Sequence, residues 1–114
     1  MEIKRLKNIE PSKINHGNGM KFVFESLGFN SETYTQSAYG SFKKDKYCDE
    51  HFHESMIEIF FFLKGNGTYW INGVGHKIEP GTYLRIDPLE RHYFKCEESA
   101  LEFFYLGIPV KNNY

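Results

Sequence analysis

Short apolar runs closed by turn signals recur along this chain, and they constrain its fold more than any other feature. Met20 to Leu27, Thr33 to Phe42, Lys46 to His53 and Met56 to Lys64 each read as a strand. Thr68 to Asn72, Gly75 to Glu79, Thr82 to Ile86, His92 to Cys96 and Ala100 to Ile108 continue the series. Gly65-Asn66-Gly67, Asn72-Gly73 and Pro80-Gly81 mark reversals, and Asn72-Gly73 has the composition of a type I′ hairpin turn. No stretch carries a helical period. Evenly spaced short strands predict an all-β sandwich or barrel with few or no helices. The length suits one domain, residues 1–114, with 1–15 as an extra edge or swapped strand and 111–114 as a tail.

Four metal-competent side chains fall within that pattern. On a strand, residues i and i+2 point to the same face, so His51 and His53 present both imidazoles to one point. A reversal between His53 and Glu58 returns the carboxylate beside the two rings. His92 supplies a fourth ligand from a later hairpin. Three imidazoles and a carboxylate suit a borderline divalent ion, Fe, Mn, Ni, Co, Cu or Zn, whereas calcium prefers an all-oxygen shell. Four protein ligands on an octahedral ion leave two positions for water, substrate or dioxygen, and a structural zinc would instead be closed and tetrahedral.

These residues resemble the two motifs of the cupin superfamily. The first, His-x-His-(x)4-Glu-(x)6-Gly, matches His51, His53, Glu58 and Gly65. The Gly that usually precedes it is Asp45 here. The second, Gly-(x)5-Pro-x-Gly-x-x-His-(x)3-Asn, keeps Gly81 and His92 but carries Asp87, Leu89 and Cys96 at the other positions. Asp87-Pro88-Leu89-Glu90 still reads as a tight turn. The resemblance implies a jelly-roll β-barrel (a double-stranded β-helix, RmlC-like) with His51, His53, Glu58 and His92 as metal ligands. It also implies a metal-dependent enzyme acting on a polar small molecule, of dioxygenase, decarboxylase, lyase or isomerase type. The alternatives are a non-catalytic module that binds or senses a small ligand, and a metal-independent epimerase using a His and a Tyr.

The strand Met56 to Lys64 carries a second prediction. If Glu58 points inward, Phe60 and Phe62 follow, and Ile57, Ile59, Phe61 and Leu63 face out. A strand with one wet face should alternate apolar and polar residues, and this one is apolar on both. Its outer side is therefore expected to pack on a second copy, giving a homodimer. Aromatics form 18% of the chain, with 11 Phe and 8 Tyr, which suits an aromatic cavity, an association surface or both.

Net charge is −1, with 14 basic and 15 acidic residues well mixed, so no nucleic-acid partner is expected. Lys43-Lys44-Asp45-Lys46 reads as a solvated loop. The N-terminal stretch has no apolar signal region, and no segment approaches the roughly 20 apolar residues of a membrane span. With only two Cys and no need for a disulfide, a cytoplasmic location is expected. Strand parity turns Cys48 away from His51 and points Cys96 toward the interior, both as packing residues. His16 and His76 read as solvated, and Tyr69 and Trp70 as packing. Tyr34, Tyr39, Tyr83, Arg85 and Tyr105 are pocket candidates, with Arg85 more simply a solvent-facing strand residue.

Overall fold

A computed structural model describes residues 1–96 and 99–111. It contains β1 (Ser12–Lys13), β2 (Met20–Ser26), β3 (Gln36–Phe42), β4 (Tyr47–His51), β5 (Met56–Lys64), β6 (Gly67–Ile71), β7 (Val74–Ile78), β8 (Tyr83–Ile86), β9 (His92–Lys95) and β10 (Leu101–Pro109). A 3-10 turn at Leu6–Asn8 is the one helical element among the described residues. Antiparallel pairing gives a six-stranded sheet, β1-β2-β3-β10-β5-β8, and a four-stranded sheet, β4-β9-β6-β7. Each expected strand is present to within a few residues. The largest difference is β3, which begins at Gln36 because Leu27 N and Gly28 N both donate to Thr35 O and close a loop there. Within residues 1–15 an edge strand forms only as the short β1 against β2. Of the expected tail, residues 112–114 lie outside the described residues.

Turn chemistry accounts for the reversals. Asn72 and Gly73 both have positive φ, 49° and 81°, as a type I′ turn requires. Asp45 and Leu89 stand where the motif glycines are missing, and both keep a left-handed backbone, with φ of 68° and 71°. The turn geometry thus survives without the residue best suited to it.

The core lies between the two sheets. Phe42, Phe60, Phe62, Tyr69, Phe94, Leu101 and Phe103 are buried in one cluster. Phe42 meets Phe94 with ring centroids 4.5 Å apart, and Phe60 meets Phe103 at 5.3 Å. Each buried Phe contributes about 1.5–3 kcal/mol relative to an exposed one. On β5 the expected parity holds: Met56, Glu58, Phe60 and Phe62 are buried, while Phe61 and Leu63 are exposed. The outer face of the six-stranded sheet carries one aromatic row. Phe22 pairs with Tyr39, Tyr39 with Phe104, Phe104 with Phe61 and Phe61 with Tyr83, crossing five strands in register.

Candidate metal centre

The two sheets meet at one end of the barrel, and four side chains converge there. His51 closes β4 and His92 opens β9, where the two are direct cross-strand partners. Glu58 comes from β5 in the opposite sheet. His53 lies just beyond β4, its carbonyl accepting a hydrogen bond from Leu89 N at 2.7 Å. The turn that carries Leu89 therefore holds the end of the His-x-His segment. One ligand atom from each of His51, His53, Glu58 and His92 lies within 4.8 Å of the others.

Tautomer and charge fit the donor set to a cation. Nδ1 of His51 lies 2.8 Å from Asp49 O, and Nδ1 of His92 lies 2.9 Å from Glu90 O. A carbonyl only accepts, so each Nδ1 carries the proton and each Nε2 keeps a lone pair aimed inward. Glu58 Oε1 sits 2.9 Å from His92 Nε2 and 3.2 Å from His53 Nε2. These three atoms are buried without hydrogen-bond geometry between them or to any other described group. Burial pushes the His51 imidazole down to about 4. A buried carboxylate among neutral rings leaves an uncompensated negative charge, which a divalent ion reverses. The cluster fits a metal site.

A cavity of about 260 Å³ opens onto the cluster, room for roughly nine waters. Phe60, Tyr69, Phe103 and Tyr105 form much of its apolar wall. Burial, followed by the nearby Glu58 carboxylate, raises both tyrosine hydroxyls above their ordinary range, so they stay neutral donors.

Several expectations need correction. Of Tyr34, Tyr39, Tyr83, Arg85 and Tyr105, only Tyr105 lines the cavity. Arg85 is exposed on β8, as its simpler reading had it, and donates from Nε to Asp87 Oδ1 at 2.8 Å. Tyr39 faces outward and donates to Glu102 at 2.6 Å. Cys48 does not turn away: a register irregularity between Cys48 and His51 breaks the parity, and the buried thiol lines the cavity 3.8 Å from His51 Nδ1. Cys96 is buried as expected but is not part of the cavity wall. Tyr69 is both packing and cavity wall, whereas Trp70 stacks on Tyr93 at 5.0 Å away from it. His76 is exposed.

His16 is the clearest residue that sequence reasoning missed. Its ring is exposed yet stacks on His51 with centroids 4.3 Å apart and lines the cavity mouth. Asp49 N donates to His16 O, which ties the two segments together. Nothing in a Gly-rich loop sequence signals such a long-range return. Lys21 and Gln36 also line the cavity.

Two antiparallel sheets closed into a barrel, with three histidines and one carboxylate at an apolar cavity, define the class of double-stranded β-helix proteins with a metal-competent pocket. The family model described as a cupin domain matches residues 39–108, and the chain belongs to the cupin family. A quercetin 2,3-dioxygenase from Bacillus subtilis (strain 168) is 27% identical over 95 residues, covering 54% of this chain and 28% of that enzyme. The match thus spans well under half of the enzyme's length. A predicted oxalate decarboxylase from Thermotoga maritima shares the fold with a TM-score of 0.79 and 24% identity, covering 96% of this chain and 100% of that one. KdgF from Halomonas sp. does so with a TM-score of 0.80 and 12% identity, covering 98% and 96%.

Proposed function

We propose that this protein is a metal-dependent enzyme acting on a polar small molecule. In this reading His51, His53, Glu58 and His92 hold a divalent transition ion, iron, manganese, nickel, cobalt, copper or zinc. The observation that carries it is the convergence of His53 Nε2, His92 Nε2 and Glu58 Oε1, buried and unpaired, beside two rings, His51 and His92, whose tautomers are set by backbone carbonyls. Similarity to a quercetin dioxygenase supports the enzyme reading. Bound there, such an ion polarises an oxygen of the substrate, lowers the pKa of a water, or binds dioxygen. The chain's own part is to orient the four donors, exclude water with the aromatic wall and offer neutral tyrosine hydroxyls as donors.

Elemental mass spectrometry of tag-free protein beside His53→Ala tests this. Near one metal per chain, lost in the variant, is the expected result. No metal in either protein after reconstitution would remove the proposal.

The second reading is a module that binds or senses a small ligand without turning it over. It is favoured by the aromatic wall of the cavity, where Phe60, Tyr69, Phe103 and Tyr105 offer contact surface to a ligand. Tight binding by metal-loaded protein with no product formed over hours would select it.

We also infer a homodimer that buries the aromatic row Phe22, Tyr39, Phe104, Phe61 and Tyr83. An exposed apolar face of that width on a sheet is more readily covered by a second copy than left in water. Light scattering at micromolar concentration should give twice the chain mass, and Phe61→Lys with Phe104→Lys should give a monomer that keeps its metal. A monomeric parent chain would exclude the dimer.

A further inference from the structure

Lys21 is half-buried and lines the cavity from the inner face of β2. Met20, Lys21, Phe22, Val23 and Phe24 alternate so that ordinary patterning puts Phe22 and Phe24 inward. The register does the reverse. Lys21 pairs with Gly40, whose missing side chain would run into the Phe103 ring in the core, and Phe22 pairs with the outward Tyr39. The lysine stem runs along the inner face, where small Ala38 leaves room, and its Nζ donates to Gln36 Oε1 at 3.3 Å. Among the described residues it is the only Lys or Arg lining the cavity, and no carboxylate lies within ion-pair distance of it.

Gln36 stands in the same cross-strand row as Glu58. Gln36 pairs with Gly107, and Gly107 pairs with Glu58. Two strand spacings put these positions about 10 Å apart across the cavity. Gly107 between them contributes no side chain. With Lys21 bonded to its oxygen, the Gln36 amide keeps its nitrogen as a second donor on this lining residue. Two donors on neighbouring side chains match the two oxygens of a planar carboxylate.

We propose that Lys21 and Gln36 form the anion-recognising end of this cavity, and that its ligand is a small organic acid reaching from them to the His51, His53, Glu58, His92 cluster. The inference rests on the metal reading of that cluster. A divalent ion among one carboxylate and three neutral imidazoles leaves a net positive charge, and the ammonium adds another. An otherwise apolar cavity with two positive ends selects an anion with an acceptor at each end.

The test is calorimetric titration of cobalt(II)-reconstituted protein with malonate, succinate and glutarate, and with succinamate as the control with one charge removed. Metal content is measured on the same samples. At least one diacid should bind more tightly than succinamate. Lys21→Met should weaken that diacid about ten-fold or more at unchanged metal content and thermal midpoint, and Lys21→Arg should restore most of the affinity. Gln36→Leu, a milder change, should weaken it a few-fold. Metal-loaded protein that binds none of the diacids, or binds one equally well in Lys21→Met and Gln36→Leu, overturns the inference alone. Protein that takes up no metal overturns the reading of the site and this inference with it.

Discussion

His51 and His92 face each other across β4 and β9 with ring centroids 4.2 Å apart, and each Nδ1 is held by the carbonyl two residues upstream, that of Asp49 or Glu90. The same short-range lock on both strands leaves the Nε2 of each ring free for the cluster that includes Glu58 from the other sheet. Backbone geometry thereby sets the protonation pattern that metal binding needs.

Glu58→Gln preserves size and removes the buried charge. Metal content should fall from near one per chain to below about one tenth, because the amide neutralises no cation and coordinates it weakly. Elemental analysis after dialysis reads this directly. Retention of full metal content would show that Glu58 is not a ligand.

Chelation should destabilise the parent protein more than His53→Ala. An ion held at a hundred times its dissociation constant adds about 2.7 kcal/mol. For a domain of this size that is a drop of roughly 10 °C in thermal midpoint on adding a chelator. An equal drop in both proteins would point to metal bound elsewhere.

The metal-free protein should lose stability in mild acid. Burial holds folded His51 near 4, whereas the unfolded imidazole takes its proton near 6.5. As pH falls through that window the unfolded chain binds the extra proton, so the stability present above 6.5 is lost toward 4. Thermal midpoints of chelator-treated protein at pH 7.5, 5.5 and 4.5 should decline steadily. A flat profile would contradict the burial of His51 as a neutral ring.

Gly107→Ala should be destabilising by about 1–3 kcal/mol. Its Cβ would stand 2.3 Å from Thr35 Oγ1 and 3.0 Å from both Met56 Sδ and Tyr105 Oη, beside the Glu58 row. Urea unfolding measures the change. A neutral result would mean that this wall of the cavity yields easily.

Leu89→Gly should be stabilising by about 1 kcal/mol, because Leu89 holds a left-handed φ of 71° with its side chain largely in solvent. The bond from its N–H to His53 O is kept by any residue but proline. A rise of a few degrees in thermal midpoint with unchanged metal content is expected. A fall would show that the Leu89 side chain makes contacts worth more than the backbone strain.

The strand series, the hairpin turns and the four clustered side chains were legible in the amino-acid sequence because each rests on local rules. Period-two alternation from Glu58 assigns Phe60 and Phe62 inward, and Asn72-Gly73 specifies its own turn. The spacing of His51, His53, Glu58 and His92 matches a known motif. Parity failed where the ladder is irregular: Cys48 entered the cavity through the register shift before His51. On β2, alternation alone does not choose the inner face. Phe22 looks like a core residue but belongs to the outer aromatic row, and Lys21 takes the inner position.

By itself, then, the sequence determined the β-rich architecture, the positions of the turns and the donor set, since backbone preference and side-chain alternation act between near neighbours. Only the tertiary structure decided that His16 returns to stack on His51, that Cys48 enters the cavity, and that Lys21 shares it with Gln36. Those are relations between strands far apart in the chain, and they depend on pairing register and barrel closure, which no local pattern encodes.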